Sequence, residues 1–418
     1  MEFFITISSQ SKIYNCIIIS KRKGRGMKKW YALIFSLCAL ELCAREQREE
    51  WINIFVHGAV SLRSHLSLKL TGPLLHDKIE GTSYEKDVVK IRRNKYLFTM
   101  QAIQDLGLQR INSSISTPPG AYAFATLFDT VLKQCQGPRI KNWYYTFGWT
   151  GLVSYKRRYF EARILYNQIK EELAKFHAQG RYPKVRILGY SHGANVVLNL
   201  TAIRHNEFPH DSFCIEEAIL LGAPVSVRSM KLIEFPFFKN IYHLYSKSDL
   251  VQLLDITVPG HRPVRTFANI CLPERLTQIE VKLFGQPLEG PCKRSLRKKV
   301  INQSPGHFEF WFFGWALQNY RRNLSIYPLP FGVLAPLFVC AAHAHPHCSR
   351  HMVVDVRLED ECIFVSDSCS GIKIKLPFMS RQEFVALQKK ALSFHPSNPR
   401  YRDAYRQLQS ATDPNAYK

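Results

Sequence analysis

Long apolar runs are missing from this chain. None in the body of the sequence reaches the ~18 residues that a membrane-crossing helix needs. Glycine and proline are sparse, at 21 and 22 of 418 residues, which excludes a fibrous or low-complexity protein. No internal repeat and no Walker, dinucleotide-binding or clustered zinc-finger motif occurs, which argues against nucleotide and nucleic-acid chemistry. Acidic residues are also in short supply, with 33 Asp and Glu against 57 Lys and Arg, a formal charge of +24. Hydrophobic residues make up 46% and charged residues 22%, which excludes a disordered chain. The length allows one large core with an appendage, or two domains.

Part of the positive charge sits at the amino end. Residues 1–44 hold seven basic and two acidic residues, and the remainder still carries 50 basic against 31 acidic, or +19. Such a surplus favours anionic surroundings: a lipid head-group surface, a polyanionic wall or nucleic acid. From Met27 the sequence reads as a secretory signal, with Lys28-Lys29, an apolar stretch from Trp30 to Leu40 and small residues near Ala44. Residues 1–26 fit that pattern poorly and read as a mis-assigned extension. Eight cysteines follow Ala44, an even count that permits disulfides on an exported chain. Cys340 with Cys348 and Cys362 with Cys369 are close enough in sequence to bridge, and Cys214 reads as a buried thiol in a core strand.

Strand-like runs at Trp51–Gly58, Trp143–Phe147, Val185–Leu188, Ala218–Leu221, Ile241–Tyr245 and Ile279–Phe284 alternate with helical segments. The longest helical segment, Arg157 to Gln179, spaces Phe160, Ile164, Leu165, Ile169, Leu173 and Phe176 for one buried face. This alternation predicts an α/β fold with a mainly parallel central sheet and helices on both faces. Residues 45–322 form that domain, with an irregular insertion or lid at 72–120. Residues 323–418 form a C-terminal extension or small accessory domain, with two strands (Met352–Leu358, Ile363–Leu376) and a helix (Arg381–Ala391).

The sharpest chemical signal is Gly189-Tyr190-Ser191-His192-Gly193, lying between a β-run and a helical run. A strand that turns abruptly into a helix lifts the central serine out at the sheet's carboxyl edge. Small neighbours let the backbone fold back without clash, and the helix start aims free amides at the same point. Two further segments accompany it: Phe55-Val56-His57-Gly58, a strand ending in His-Gly, and Leu221-Gly222-Ala223-Pro224 after the next strand.

With these elements, residues 51–315 resemble a serine hydrolase of the α/β-hydrolase fold, in its lipase and esterase branch. The resemblance implies a Ser–acid–His triad in that chain order. It assigns Ser191 as nucleophile. It assigns Asp249, in the loop after IYHLY, as acid, with Asp255 as competitor and a plain helix-capping role as the alternative. It assigns His307, after the last strand, as base, ahead of His261 and His243. The oxyanion hole would use the backbone N–H of His192 and that of Ala59 or Val60, with His57 holding the loop. No HGGG stretch is present. The implied activity is cleavage of carboxylic esters, lipid esters in particular, by an exported enzyme that touches an anionic membrane surface and needs no cofactor or metal. A peptidase, thioesterase or amidase shares the same signature. The alternative from another class is a non-catalytic binding protein of the same fold.

Three segments stay outside this picture. CAAHAHPHCSRH, from Cys340 to His351, is dense in metal-ligand types, but its compact spacing matches no tetrahedral site well, and it reads as an exposed Ala- and Pro-rich loop. Lys293–Lys299 is basic enough to touch anionic lipid or to be an ordinary charged loop. The aromatic run Phe308–Trp315 fits core packing or an acyl pocket.

Overall fold

A computed structural model describes residues 3–9, 12–18, 49–60, 77–137, 139–254, 264–267, 272–284, 304–316, 320–322, 324–344, 350–357, 360–367, 371, 373–377, 379–396 and 400–412. The signal-like segment, Asp255, His261, Lys293–Lys299, His345, His347, Cys348 and Cys369 lie outside them. Residues 1–48 form one unit and residues 49–418 another. In the first, strands β1 (Phe3–Ser9) and β2 (Lys12–Ile18) pair as an antiparallel hairpin.

The second unit is built in chain order from β3 (Glu50–Val56), α1 (Ser83–Arg92), a helical turn at Leu97–Met100, β4 (Gly107–Arg110), α2 (Pro119–Gln136), β5 (Lys141–Gly148), α3 (Tyr155–His177), β6 (Lys184–Tyr190), α4 (His192–Asn206), β7 (Ile215–Leu221), α5 (Val227–Leu232), β8 (Phe238–Tyr245), β9 (Leu276–Phe284), α6 (Ala335–Ala344), β10 (His351–Arg357), β11 (Cys362–Asp367), β12 (Lys373–Pro377), α7 (Arg381–Ser393) and α8 (Arg400–Thr412). The ten strands β3–β12 make one sheet in the order β12-β11-β10-β9-β8-β7-β6-β3-β5-β4. Every pairing from β5 across to β10 is parallel, and β4, β11 and β12 pair antiparallel at the two ends. Among the described residues, no helix is long and apolar enough to cross a membrane.

Alternation along the central strands divides their side chains between two apolar layers. Ile52, Ile54 and Val56 of β3 face one layer with Ile187 of β6 and the buried stripe Leu165, Ile169, Leu173 and Phe176 of α3. Phe55 and Leu188 face the other, with α2 and α6. Each such side chain taken from water contributes about 1.5–3 kcal/mol. Phe160, expected on the buried face of α3, instead lies out in solvent beneath the guanidinium of Arg157.

Other expectations are corrected. The stretch 72–120 is not irregular where it is described. It carries α1, whose Tyr84, Val88 and Ile91 are buried at helical spacing, and the edge strand β4. Cys214 is exposed, because it precedes β7 instead of lying within it. The second alternating stretch of the C-terminal region is two strands, β11 and β12, and all three strands there continue the main sheet. The run Phe308–Trp315 is core, with Phe310, Trp311 and Phe313 fully buried.

Candidate active site

The loops after β3, β6, β7 and β8 converge at the carboxyl edge of the sheet, the edge where open α/β sheets hold their ligands. Ser191 joins β6 to α4 with φ 51° and ψ −126°, a region costly for any residue with a side chain. Its N–H donates to the Leu221 carbonyl (2.9 Å), and its own carbonyl accepts from Ala194 N–H (3.0 Å). Two hydrogen bonds thus hold the strained corner from both sides. Gly193 is required one residue into the helix: a Cβ there would stand 2.2 Å from the His57 carbonyl oxygen. The helix start is thereby pressed against the end of β3.

The imidazole of His307 bridges the other two side chains. Ser191 Oγ lies 2.9 Å from its Nε2, and Asp249 Oδ2 lies 2.8 Å from its Nδ1. Asp249 is fully buried, and its other oxygen accepts from Gln252 N–H at 3.1 Å. Ser191 and His307 are each 5% exposed, so the cluster sits in a water-poor setting where charge interactions are strong. The sequence-derived trio is therefore brought together. His243 is not part of it: it is buried within β8.

Several residues that the sequence reading did not single out hold this geometry. The Tyr190 hydroxyl donates to the His307 carbonyl (3.1 Å), and its ring lies between His307 and Trp311. Buried Glu309 accepts from both the backbone N–H (3.1 Å) and Nε (2.9 Å) of Arg321, which fixes the loop just past His307. Arg265 donates to the Asp249 carbonyl (2.9 Å) and Gln252 to the Ala223 carbonyl (2.9 Å), so the acid loop is tied at two points. Buried Arg158 donates to Nδ1 of His192. None of these contacts is written in local spacing, because each joins distant segments.

Gly222 was visible only as part of a strand-ending motif. Its φ of +56° and its place beside the acid give it a role. A Cβ would stand 2.9 Å from Asp249 Oδ2 and 3.5 Å from His307 Nδ1. Gly222→Ala should therefore wedge into the Asp–His hydrogen bond and add about 1–2 kcal/mol of backbone strain. We expect at least a hundredfold slower modification of Ser191 by a serine-directed fluorophosphonate, with a urea midpoint only modestly lowered; an unchanged rate would refute this role.

On the β3 side, His57 is locked as a neutral ring. Its Nδ1–H donates to the Gly58 carbonyl (2.7 Å), and its Nε2 accepts from Trp149 N–H (3.2 Å). Trp149 Nε1–H donates back to the His57 carbonyl (2.7 Å). Burial first, and Arg92 second, push this imidazole down to about 3. The loop carrying Ala59 and Val60 is thus clamped to the loop after β5. Val60 N–H is already engaged with the Gly151 carbonyl at 3.2 Å.

Within the metal-like tract, His343 meets the hydroxyl of Tyr242 (2.8 Å) and His351 meets that of Tyr245.

A mostly parallel sheet with helices on both faces, a strained serine between strand and helix, and a Ser191–His307–Asp249 arrangement define an α/β-hydrolase fold with serine-hydrolase machinery. No model of a protein family matches the chain, and no curated protein sequence matches it.

Proposed function

We propose that this protein is an exported esterase that cleaves carboxylic esters, lipid esters in particular, through an acyl-enzyme. The observation that carries the proposal is the continuous hydrogen-bonded line from Ser191 Oγ through the His307 ring to Asp249. Ser191 attacks the ester carbonyl as His307 Nε2 takes its proton. The oxyanion is held by the backbone N–H of His192 at the start of α4 and by that of Ala59. Ala59 is preferred over Val60 because the Val60 N–H has its own acceptor. Each such donor is worth about 3 kcal/mol. His307 returns the proton to the departing alcohol, then activates the water that frees the acid. Asp249 keeps Nδ1 protonated and stabilises the imidazolium.

The lipid preference draws support from the resemblance to lipases and esterases, the signal-like segment after Met27 and the charge of +19 that remains without residues 1–44, which suits an anionic membrane surface. A fluorophosphonate probe and a series of chromogenic esters of rising chain length test both levels. We expect a single modified residue, Ser191, with labelling abolished in His307→Ala, and turnover that rises with acyl length. Labelling with activity on acetate alone would keep the hydrolase and remove the lipid. Folded protein that takes no label would leave a non-catalytic binding protein.

A further inference from the structure

A buried cation stands beside the nucleophile corner. Arg158 is 2% exposed and lies in the opening turn of α3. Its Nη1 donates to Nδ1 of His192, the residue next to Ser191 and the first of α4. His192 is itself only 5% exposed, so the contact is made where little water reaches.

Stability alone gives little reason for a cation in this place. Burial penalises a charge. A helix start already carries partial positive charge, and this guanidinium meets two of them: it is rooted in the start of α3 and reaches that of α4. A residue that goes against such local rules is expected at a functional site. Its root is nevertheless firmly held. The Ser154 hydroxyl accepts from Arg157 N–H (3.1 Å), and the Asp77 carboxylate accepts from the N–H groups of Tyr155 (3.0 Å) and Lys156 (2.9 Å). Arg157 pairs with Glu161 at 2.9 Å, and α3 packs along α4.

The contact also fixes the state of the ring. A guanidinium N–H can only donate, so Nδ1 of His192 carries the lone pair and the ring proton sits on Nε2. His192 is thereby neutral and anchored, and the formal charge stays on Arg158. The backbone N–H of this same residue is the oxyanion donor named above. We propose that Arg158 is a positioning residue for the oxyanion hole. Through His192 it holds the first residue of α4 in place, and its charge joins the helix start in stabilising the negative charge that grows on the reacting oxygen. The proposal rests on the serine-hydrolase reading and on the oxyanion role of His192.

The test compares the full chain with its Arg158→Gln and Arg158→Lys variants. A serine-directed fluorophosphonate is the probe, because its phosphoryl oxygen gains negative charge as Ser191 attacks. The limiting rate of labelling and the probe concentration giving half of it are read separately, with a thermal melt to confirm folding. Glutamine keeps a donor for His192 and removes the charge, whereas lysine keeps both. We expect Arg158→Gln to lower the limiting rate about thirtyfold while the half-saturating concentration changes by less than about threefold. Arg158→Lys should recover most of that loss, which a merely structural role would not predict. A limiting rate in Arg158→Gln within about threefold of the parent, a loss confined to the half-saturating concentration, or a lysine variant as slow as the glutamine one would overturn the proposal. If Arg158→Gln melts early, Arg158→Met, which buries no polar group, takes its place with the same expected rates. A parent protein that takes no label would instead remove the serine-hydrolase reading, and this proposal with it.

Discussion

Asp249→Asn should lower kcat on a chromogenic ester by about 10⁴-fold with a small change in KM. The carboxylate is fully buried and accepts the His307 Nδ1 proton at 2.8 Å. That contact keeps the Nε2 lone pair facing Ser191 Oγ at 2.9 Å. An amide in the same place can turn its NH₂ toward the ring, which moves the proton to Nε2 and removes the base. It also loses the negative charge that steadies the imidazolium. The second oxygen of the side chain still accepts from Gln252, so the loop should keep its shape. Steady-state kinetics on the variant, with a thermal melt to confirm folding, decide the matter. A kcat within tenfold of the parent would transfer the acid's role to another residue, with Asp255 the first to examine.

Acid should begin to destabilise this protein well above the range in which its carboxylates protonate. Two buried imidazoles are responsible. His57 is held down to about 3, by burial and then by Arg92, and His243 to about 4, chiefly by burial. Neither ring nitrogen of His243 reaches hydrogen-bond geometry, and Gln278 and the Ala223 backbone are its polar neighbours. In the unfolded chain both rings titrate near the ordinary histidine value of about 6.5. Above that value both states are neutral and the full stability is present. As the pH falls below it, the unfolded chain binds protons that the native state refuses. Stability is then lost progressively until the folded values near 4 and 3 are reached. Each ring contributes on the order of 3–5 kcal/mol to this loss at most, a large share of a typical domain's stability. Urea midpoints measured from pH 7.5 to 4 should fall steeply below 6.5, and His243→Gln should flatten the curve. A flat wild-type profile across that interval would sink the argument.

The parts of the molecule legible in its sequence are those set by short-range pattern. The central strands are runs of residues buried on both faces, and Ser191 lies where a strand pattern gives way to a helical one with glycines two residues away on each side. The acid and base required the resemblance as well, because a carboxylate or an imidazole in a loop carries no local mark of its partners. Helix α1 could have been read: Tyr84, Val88 and Ile91 follow helical spacing, and Thr82 caps the Glu85 N–H, a start signal overlooked in favour of the surrounding glycine and proline. The four residues of β4 could not, being too few to show a period. Cys214 was misread because a small apolar residue at a strand boundary resembles one inside it.

The two ends of the sheet complete the picture. Parallel strands leave an edge of unpaired amides and carbonyls, and here antiparallel strands cap it on both sides, β4 on one and β11 with β12 on the other. The outermost strand, β12, turns Lys373 and Lys375 outward over the Phe364 ring and ends at Pro377, which has no amide hydrogen to offer. A rim that is charged and terminates in proline gives a second molecule little to add a strand to. The C-terminal residues thus act as a guard against fibrous stacking, keeping a ten-stranded sheet from recruiting an eleventh strand out of its neighbour.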